Sequence, residues 1–213
     1  KKISIFLCAE SVLAGVQGIG KYAFSSSVLA AVQGAALAEW GWNEKGWRTG
    51  YILLDDVIEY NKGICYGFDW MWREVLGGEV LGHDVFQNED PTIQPQIDRL
   101  KALETAPDFI QMCTYNPGGA SAIRQIRAAG IDTPIGNGSS MSGTYWLEAV
   151  PNLSNHFVPE QASIYGDDPR QDVLDFNETF KAKYGEYPNS QYAYPGYVVF
   201  EMWAKAVEMA GTF

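Results

Sequence analysis

The sequence predicts an α/β fold, a parallel sheet with helices on both of its faces. Short strand-like runs alternate along the chain with helix-length segments whose apolar residues recur near every 3.6 positions. Glycines stand where those helices should stop. No repeat or low-complexity tract interrupts the rhythm. Strands separated by helices pair in parallel, because the crossover returns the chain to its starting end, and such sheets are covered on both faces.

The elements follow in order. "ISIFL" (residues 3–7) is the first strand-like run, followed by "TGYILL" (49–54), "EVLGHDVF" (79–86), "DFIQMC" (108–113), "TPIGN" (133–137) and "NHFVP" (155–159). Helical spacing links Ile93, Ile97 and Leu100; Ala122, Ile123, Ile126 and Ala129; and Val173, Phe176, Phe180 and Tyr184. "FDWMWREV" reads as a further helix, and residues 191–210 as a last one that opens on aromatics and closes on "AVEMAG". Gly77-Gly78, Gly130 and Gly185 are the stops. Trp40, Trp42 and Trp47 at a strand entrance, with Trp70 and Trp72 in a helix, are expected to pack in the core and on its surface.

With 213 residues, the chain is long enough for one large domain or two small ones, and a globule of that size buries roughly 70% of its unfolded surface. Its 26 acidic against 15 basic side chains leave a net charge of -11, which repels phosphate backbones and anionic membranes, so no nucleic-acid partner is expected. No apolar run approaches the eighteen or so residues of a membrane span, so no direct membrane insertion is expected either. Cys8, Cys65 and Cys113 are too scattered for a metal pattern, and their odd number leaves at least one free or paired outside the chain.

Catalytic signatures are weak. "GVQGIGKY" lacks the Ser or Thr that a phosphate loop needs after Lys21, and "GNGSSMSG" contains no nucleophile elbow. Neither His83 nor His156 has neighbours suggesting a triad or zinc site. Asp55-Asp56 is an acid pair at a strand end, a candidate for a divalent cation but commoner as loop solvation or a helix N-cap. No cofactor, no metal and no enzymatic activity are expected. In open α/β sheets ligands sit beyond the carboxyl ends of the strands, which here read "LLDD", "MCTYNPGG" and "IGNGSS".

Taken together, "GYILLDDVIEYNKG", "GGEVLGHDVF", "DPTIQPQIDRLKALETAPDFIQMCTYNPGGASAIRQIRAAGIDTPIGNG" and "FNETFKAKYGEYPNSQYAYPGYVVFEMWAKAVEMAG" resemble the periplasmic solute-binding proteins of the branched-chain amino acid type. The resemblance implies a periplasmic-binding-protein type 1 fold with two lobes that close about a hinge on a small-molecule ligand. It implies a membrane permease of an ABC transporter as partner and a periplasmic or otherwise extracytoplasmic location. It also implies that the chain is a fragment of a precursor with a signal peptide upstream. Residues 1–24 would be a first-lobe remnant, 25–162 the second lobe, and 163–213 a hinge crossing with helices returning to the first lobe.

Site residues carry over by position. Tyr115 in "CTYNPGG" matches a tyrosine facing the ligand, and Tyr60 in "DDVIEYNKG" matches the family's "D-D-x-x-Y-G-K-G" tyrosine. Tyr192 stands where relatives carry an aromatic that packs on the ligand, with Tyr194 an alternative; Ala9 and Ser11 in "CAESVLAG" fall near a carboxylate-binding turn. Amino-acid binders place an acid in the loop matching "IGNGSSM", where this chain has Gly138, Ser139 and Ser140. Either Asp55, Asp56 or Glu10 supplies the counter-charge, or the ligand is a carboxylate or amide without an ammonium. Tyr145 and Trp146, just past that loop, suit a flat wall against a planar ligand. Two other readings are a ligand-sensing receptor ectodomain of the same fold and a cation-dependent enzyme using Asp55 and Asp56.

Overall fold

The computed structural model describes residues 2–211. In chain order the elements are β1 (Ser4–Phe6), β2 (Ala23–Ser25), α1 (Ala30–Glu44), β3 (Thr49–Asp55), α2 (Glu59–Asp69), β4 (Glu79–Phe86), α3 (Gln94–Lys101), β5 (Phe109–Cys113), α4 (Gly118–Ala128), β6 (Ile135–Gly136), β7 (His156–Phe157), α5 (Gln171–Tyr184) and α6 (Ala193–Ala210). They form two compact units, Leu29–Pro159 and Lys1–Val28 with Glu160–Phe213.

The Leu29–Pro159 unit is a parallel sheet of order β4-β3-β5-β6-β7. Alternation along its strands divides the core. Tyr51, Leu53, Ile110 and Met112 face one way, onto Ile97 and Leu100 of α3 and Ile123 and Ile126 of α4. Ile52, Phe109 and Cys113 face the other way, onto Ile64 and Phe68 of α2 and Ala38 of α1. Period-two alternation inside nearly continuous apolar runs marks a sheet buried on both faces.

Helices α1 and α2 approach backbone to backbone. A Cβ at Gly34 would collide with the Ile64 carbonyl, and one at Gly67 with the Ala31 carbonyl. Beyond α2 the chain widens into a π-helical turn, Trp70–Val75, around the fully buried Trp72. That ring stacks on Phe68 at 5.2 Å and donates from its indole nitrogen to the Glu79 carbonyl at 3.0 Å. Trp70 is instead half exposed, on the outer side of the turn. A disulfide joins Cys65 of α2 to Cys113 of β5, and Cys8 is a free, exposed thiol.

The other unit pairs β1 with β2 in parallel. Its core is small, with Ala162, Ile164, Val173 and Tyr194 buried and Phe176 packed against them. Tyr194 donates to Ser163 O at 2.9 Å and Asn177 Oδ1 at 2.7 Å, so it is a core residue rather than the alternative ligand contact that its place beside Tyr192 suggested. Helix α5 ends at Gly185 with φ 86°, in the left-handed region that favours glycine. No helix among the described residues is long and apolar enough to cross a membrane.

Several elements differ from the sequence expectation, among them α1, a helix that was not expected. Residues 133–137 and 155–159 contract to the two-residue strands β6 and β7, and β2 was not expected at all. Strands this short carry too few side chains to show alternation, and pairing with a neighbour defines them.

Candidate functional site

The order β4-β3-β5 means that the chain leaves β3 to one side, forms β4, and returns to β5 on the other side. Crossovers from β3 and β5 diverge at such a switch point, which opens a crevice at their carboxyl ends. Asp55 closes β3 there, and Thr114 and Tyr115 follow β5 directly.

Asp55 is fully buried. Its Oδ2 accepts from Asn88 Nδ2 at 2.8 Å and Thr114 Oγ1 at 2.9 Å, and its Oδ1 from the Val57 N–H at 3.3 Å. Its backbone carbonyl takes Asn61 Nδ2 at 2.9 Å. Asp56 accepts from Gln87 Nε2 instead. The two aspartates therefore do not present paired carboxylates to a cation, and Asp55 anchors strand ends rather than offering a counter-charge to a ligand.

The second turn gathers four of the expected residues. Tyr60, on the first turn of α2, donates to Gln33 Oε1 at 3.1 Å and accepts from the Ser140 N–H at 3.1 Å, with Ser139 Oγ at 3.3 Å. Ser139 N–H also donates to Gln33 Oε1, at 2.9 Å, and Ser140 Oγ donates to the Thr114 carbonyl at 2.7 Å. Gly138 makes room for this, since a Cβ there would run into the Tyr60 hydroxyl and the end of Ile64. Ser139 is buried and Ser140 half buried. The Tyr60 hydroxyl thus braces the serine turn.

Tyr115 is half exposed, and its carbonyl accepts from Asn88 Nδ2 at 2.8 Å and from the Gly119 N–H at 2.8 Å. Burial, then the negative charges of Asp55 and Glu89, raise its phenol pKa above the ordinary value. The Asn116–Pro117 bond is cis. Asn116 Nδ2 donates to the hydroxyl of Tyr145 at 3.2 Å, so Tyr145, 56% exposed, stands beside the Tyr115 turn. Trp146 does not join it: buried in the core, it donates to the Met141 carbonyl at 3.1 Å.

The structure therefore brings Tyr60, Tyr115, Gly138, Ser139, Ser140 and Tyr145 to the carboxyl end of one sheet. Ala9, Ser11 and Tyr192 belong to the other unit. There Ser11 caps the short turn Val12–Ala14 through the Leu13 N–H at 3.2 Å, and the Ala9 carbonyl accepts from Ser25 Oγ at 2.8 Å. Tyr192 opens α6, its N–H on Ser190 Oγ at 3.3 Å. Gln33 and Asn88 were missed. Gln33 lies on the buried stripe Ala30, Gln33, Gly34, Leu37, Ala38 of α1, and a lone polar residue in an apolar stripe is the signal that was present.

His156 has Nε2 3.0 Å from Asn137 Nδ2 and its ring edge-on to Trp146. Burial, aided by Arg127, lowers its pKa to about 4 and keeps it neutral.

A doubly covered parallel sheet with its crevice at the switch point is the architecture of type 1 periplasmic binding proteins, and the chain belongs to the periplasmic binding protein family, whose model matches residues 4–213. In fold it is similar to the leucine binding protein LivK of Thermotoga maritima, with a TM-score of 0.85 and 22% identity over 99% of this chain and 58% of that one. The branched-chain amino acid binding protein LivJ of Streptococcus pneumoniae, in complex with isoleucine, gives 0.75 and 22% over 87% of this chain and 52% of that one. An R. palustris ABC-transporter solute binding protein in complex with benzoate gives 0.78 and 17% over 97% and 55%. The chain thus spans little more than half the length of these structures. No curated protein matches it.

Proposed function

We propose that the chain is the binding component of an ABC uptake system, working outside the cytoplasm with a membrane permease and catalysing no covalent chemistry. Its solute is a small carboxylate or amide, planar or aromatic, rather than an α-amino acid. The Leu29–Pro159 unit is the second lobe, and the remaining residues form part of the first, where Ala9, Ser11 and Tyr192 are the candidates for ligand contact.

One observation carries the choice of solute. The crevice end of the Leu29–Pro159 sheet offers tyrosine rings, serine hydroxyls and backbone N–H groups, while the acid at its centre, Asp55, is sealed beneath neutral donors. Burying an ammonium without a counter-charge costs several kcal/mol, whereas hydroxyl and N–H donors suit a carboxylate or amide oxygen. The similar structures span both chemistries, one holding isoleucine and another benzoate. The buried Cys65–Cys113 disulfide supports an oxidising, extracytoplasmic location.

The test is a thermal-shift panel on the full-length protein, pairing amino acids with their des-amino carboxylates and with amides. A ligand at 100 times its dissociation constant adds about 2.7 kcal/mol of apparent stability. Stabilisation by carboxylates or amides alone is the expected result. Stabilisation by amino acids alone overturns the solute class, and a silent panel counts against the carrier itself.

A further inference from the structure

We propose that Asn88 is a positioning residue of the crevice, a single amide that spans three strand ends and sets the Tyr115 turn. The inference rests on the reading that Tyr115 faces the solute. Asn88 lies two residues beyond β4 and is 6% exposed. Both directions of its side-chain amide are used. Nδ2 donates to Asp55 Oδ2 at 2.8 Å and to the Tyr115 carbonyl at 2.8 Å, and Oδ1 accepts from the Gly118 N–H at 3.2 Å. From the end of β4 it therefore crosses the end of β3 and grips both sides of the Tyr115–Gly118 turn between β5 and α4.

The chemistry demands an amide there. Asp55 makes no ion pair among the described residues, and its buried carboxyl group is held by neutral donors, of which Asn88 and Thr114 hold the same oxygen. An aspartate at position 88 offers no N–H to Asp55 or to the Tyr115 carbonyl, and an alanine offers nothing. Gly118 fits the same constraint, because a Cβ on it would collide with Asn88. Losing the amide takes one of the two N–H donors from the Tyr115 carbonyl, which keeps the Gly119 N–H, and leaves the buried Gly118 N–H without its acceptor, so the Tyr115 ring loses its fixed bearing while the sheet stays intact.

A solute-independent measurement tests this in the full-length protein: the fluorine spectrum with 3-fluorotyrosine incorporated, the Tyr115 line being assigned by its disappearance in Tyr115→Phe. In Asn88→Ala the Tyr115 line is expected to move toward that of the free amino acid, while those of Tyr51, 3% exposed in the core of the sheet, and Tyr194, 8% exposed in the core of the other unit, hold their places. Asn88→Asp supplies a rescue. Its new carboxyl meets Asp55, two such groups in contact share a proton, and the proton restores one donor. The titratable groups around it are Asp55 on β3, Tyr115 on the β5–α4 turn, and Glu89 and Asp90 on its own loop.

The Asn88→Asp line should thus return toward the wild-type position as pH falls from about 8 to about 5, while the wild-type line stays still. An unmoved Tyr115 line in a folded Asn88→Ala overturns the proposal. If Asn88→Ala does not fold, a Tyr115 line in Asn88→Asp that ignores pH overturns it instead. A silent solute panel, by contrast, sinks the carrier reading and leaves this result standing.

Discussion

Two tyrosines at the crevice illustrate how far a sequence position carries at the scale of one residue. Tyr60 and Tyr115 were both expected at strand ends, but the Tyr60 hydroxyl is engaged by Gln33 and the Ser140 N–H, whereas the Tyr115 hydroxyl makes no hydrogen bond among the described residues. Tyr115 is accordingly the residue whose loss should be felt by the solute. Tyr115→Ala is expected to weaken binding by more than about tenfold, the 1.4 kcal/mol of one good contact, measured by titration with whichever panel compound stabilises the protein; unchanged affinity removes Tyr115 from the site. Gly138, Ser139 and Ser140 were legible because a strand end empties into them. Gln33 and Asn88 were not, because sideways hydrogen bonds between elements follow no period in the sequence. Trp146 was misplaced for a related reason: standing next to Tyr145 in sequence says nothing of which way its ring turns.

At the scale of the element, the strands with at least five paired residues were legible nearly to their bounds, whereas β1, β6 and β7 were expected as longer runs and β2 was not expected. β3, β4 and β5 present unbroken apolar or alternating runs, whereas β2, β6 and β7 are defined by the partner beside them. The contact between α1 and α2 was equally hidden, because α1 was not read as a helix and nothing in the sequence marks Gly34 and Gly67 as points of close backbone approach. Gly67→Ala tests that approach. In an ordinary exposed helix the change gains up to about 1 kcal/mol, but here the new methyl meets the Ala31 carbonyl, and a loss of about 1–3 kcal/mol is expected from overpacking. Urea unfolding decides between the two signs, and a stabilised variant would show that α1 moves aside at no cost.

The whole molecule is organised by discontinuity. Leu29–Pro159 is one unbroken stretch, while the other unit draws on both ends of the chain. The disulfide lies wholly inside the unbroken unit and closes a loop of 48 residues. Chain-entropy reasoning assigns such a loop about 4 kcal/mol. The double variant Cys65→Ala, Cys113→Ala should lose roughly 2–4 kcal/mol in denaturant unfolding, and no loss would mean that the reduced chain is already compact before it folds.

That same bond has a history set by the order in which the chain is made. A polypeptide emerging N-terminus first, from a ribosome or through a membrane pore, exposes Cys8 and Cys65 before Cys113 arrives 48 residues after the second of them. In that interval Cys65 waits for its partner, and pairing with Cys8 would be a wrong pairing. A premature Cys8–Cys65 bond is undone when the thiolate of Cys113 attacks the sulfur of Cys65 and releases Cys8 as a thiolate. In that exchange the exposed thiol of Cys8 would be the leaving group.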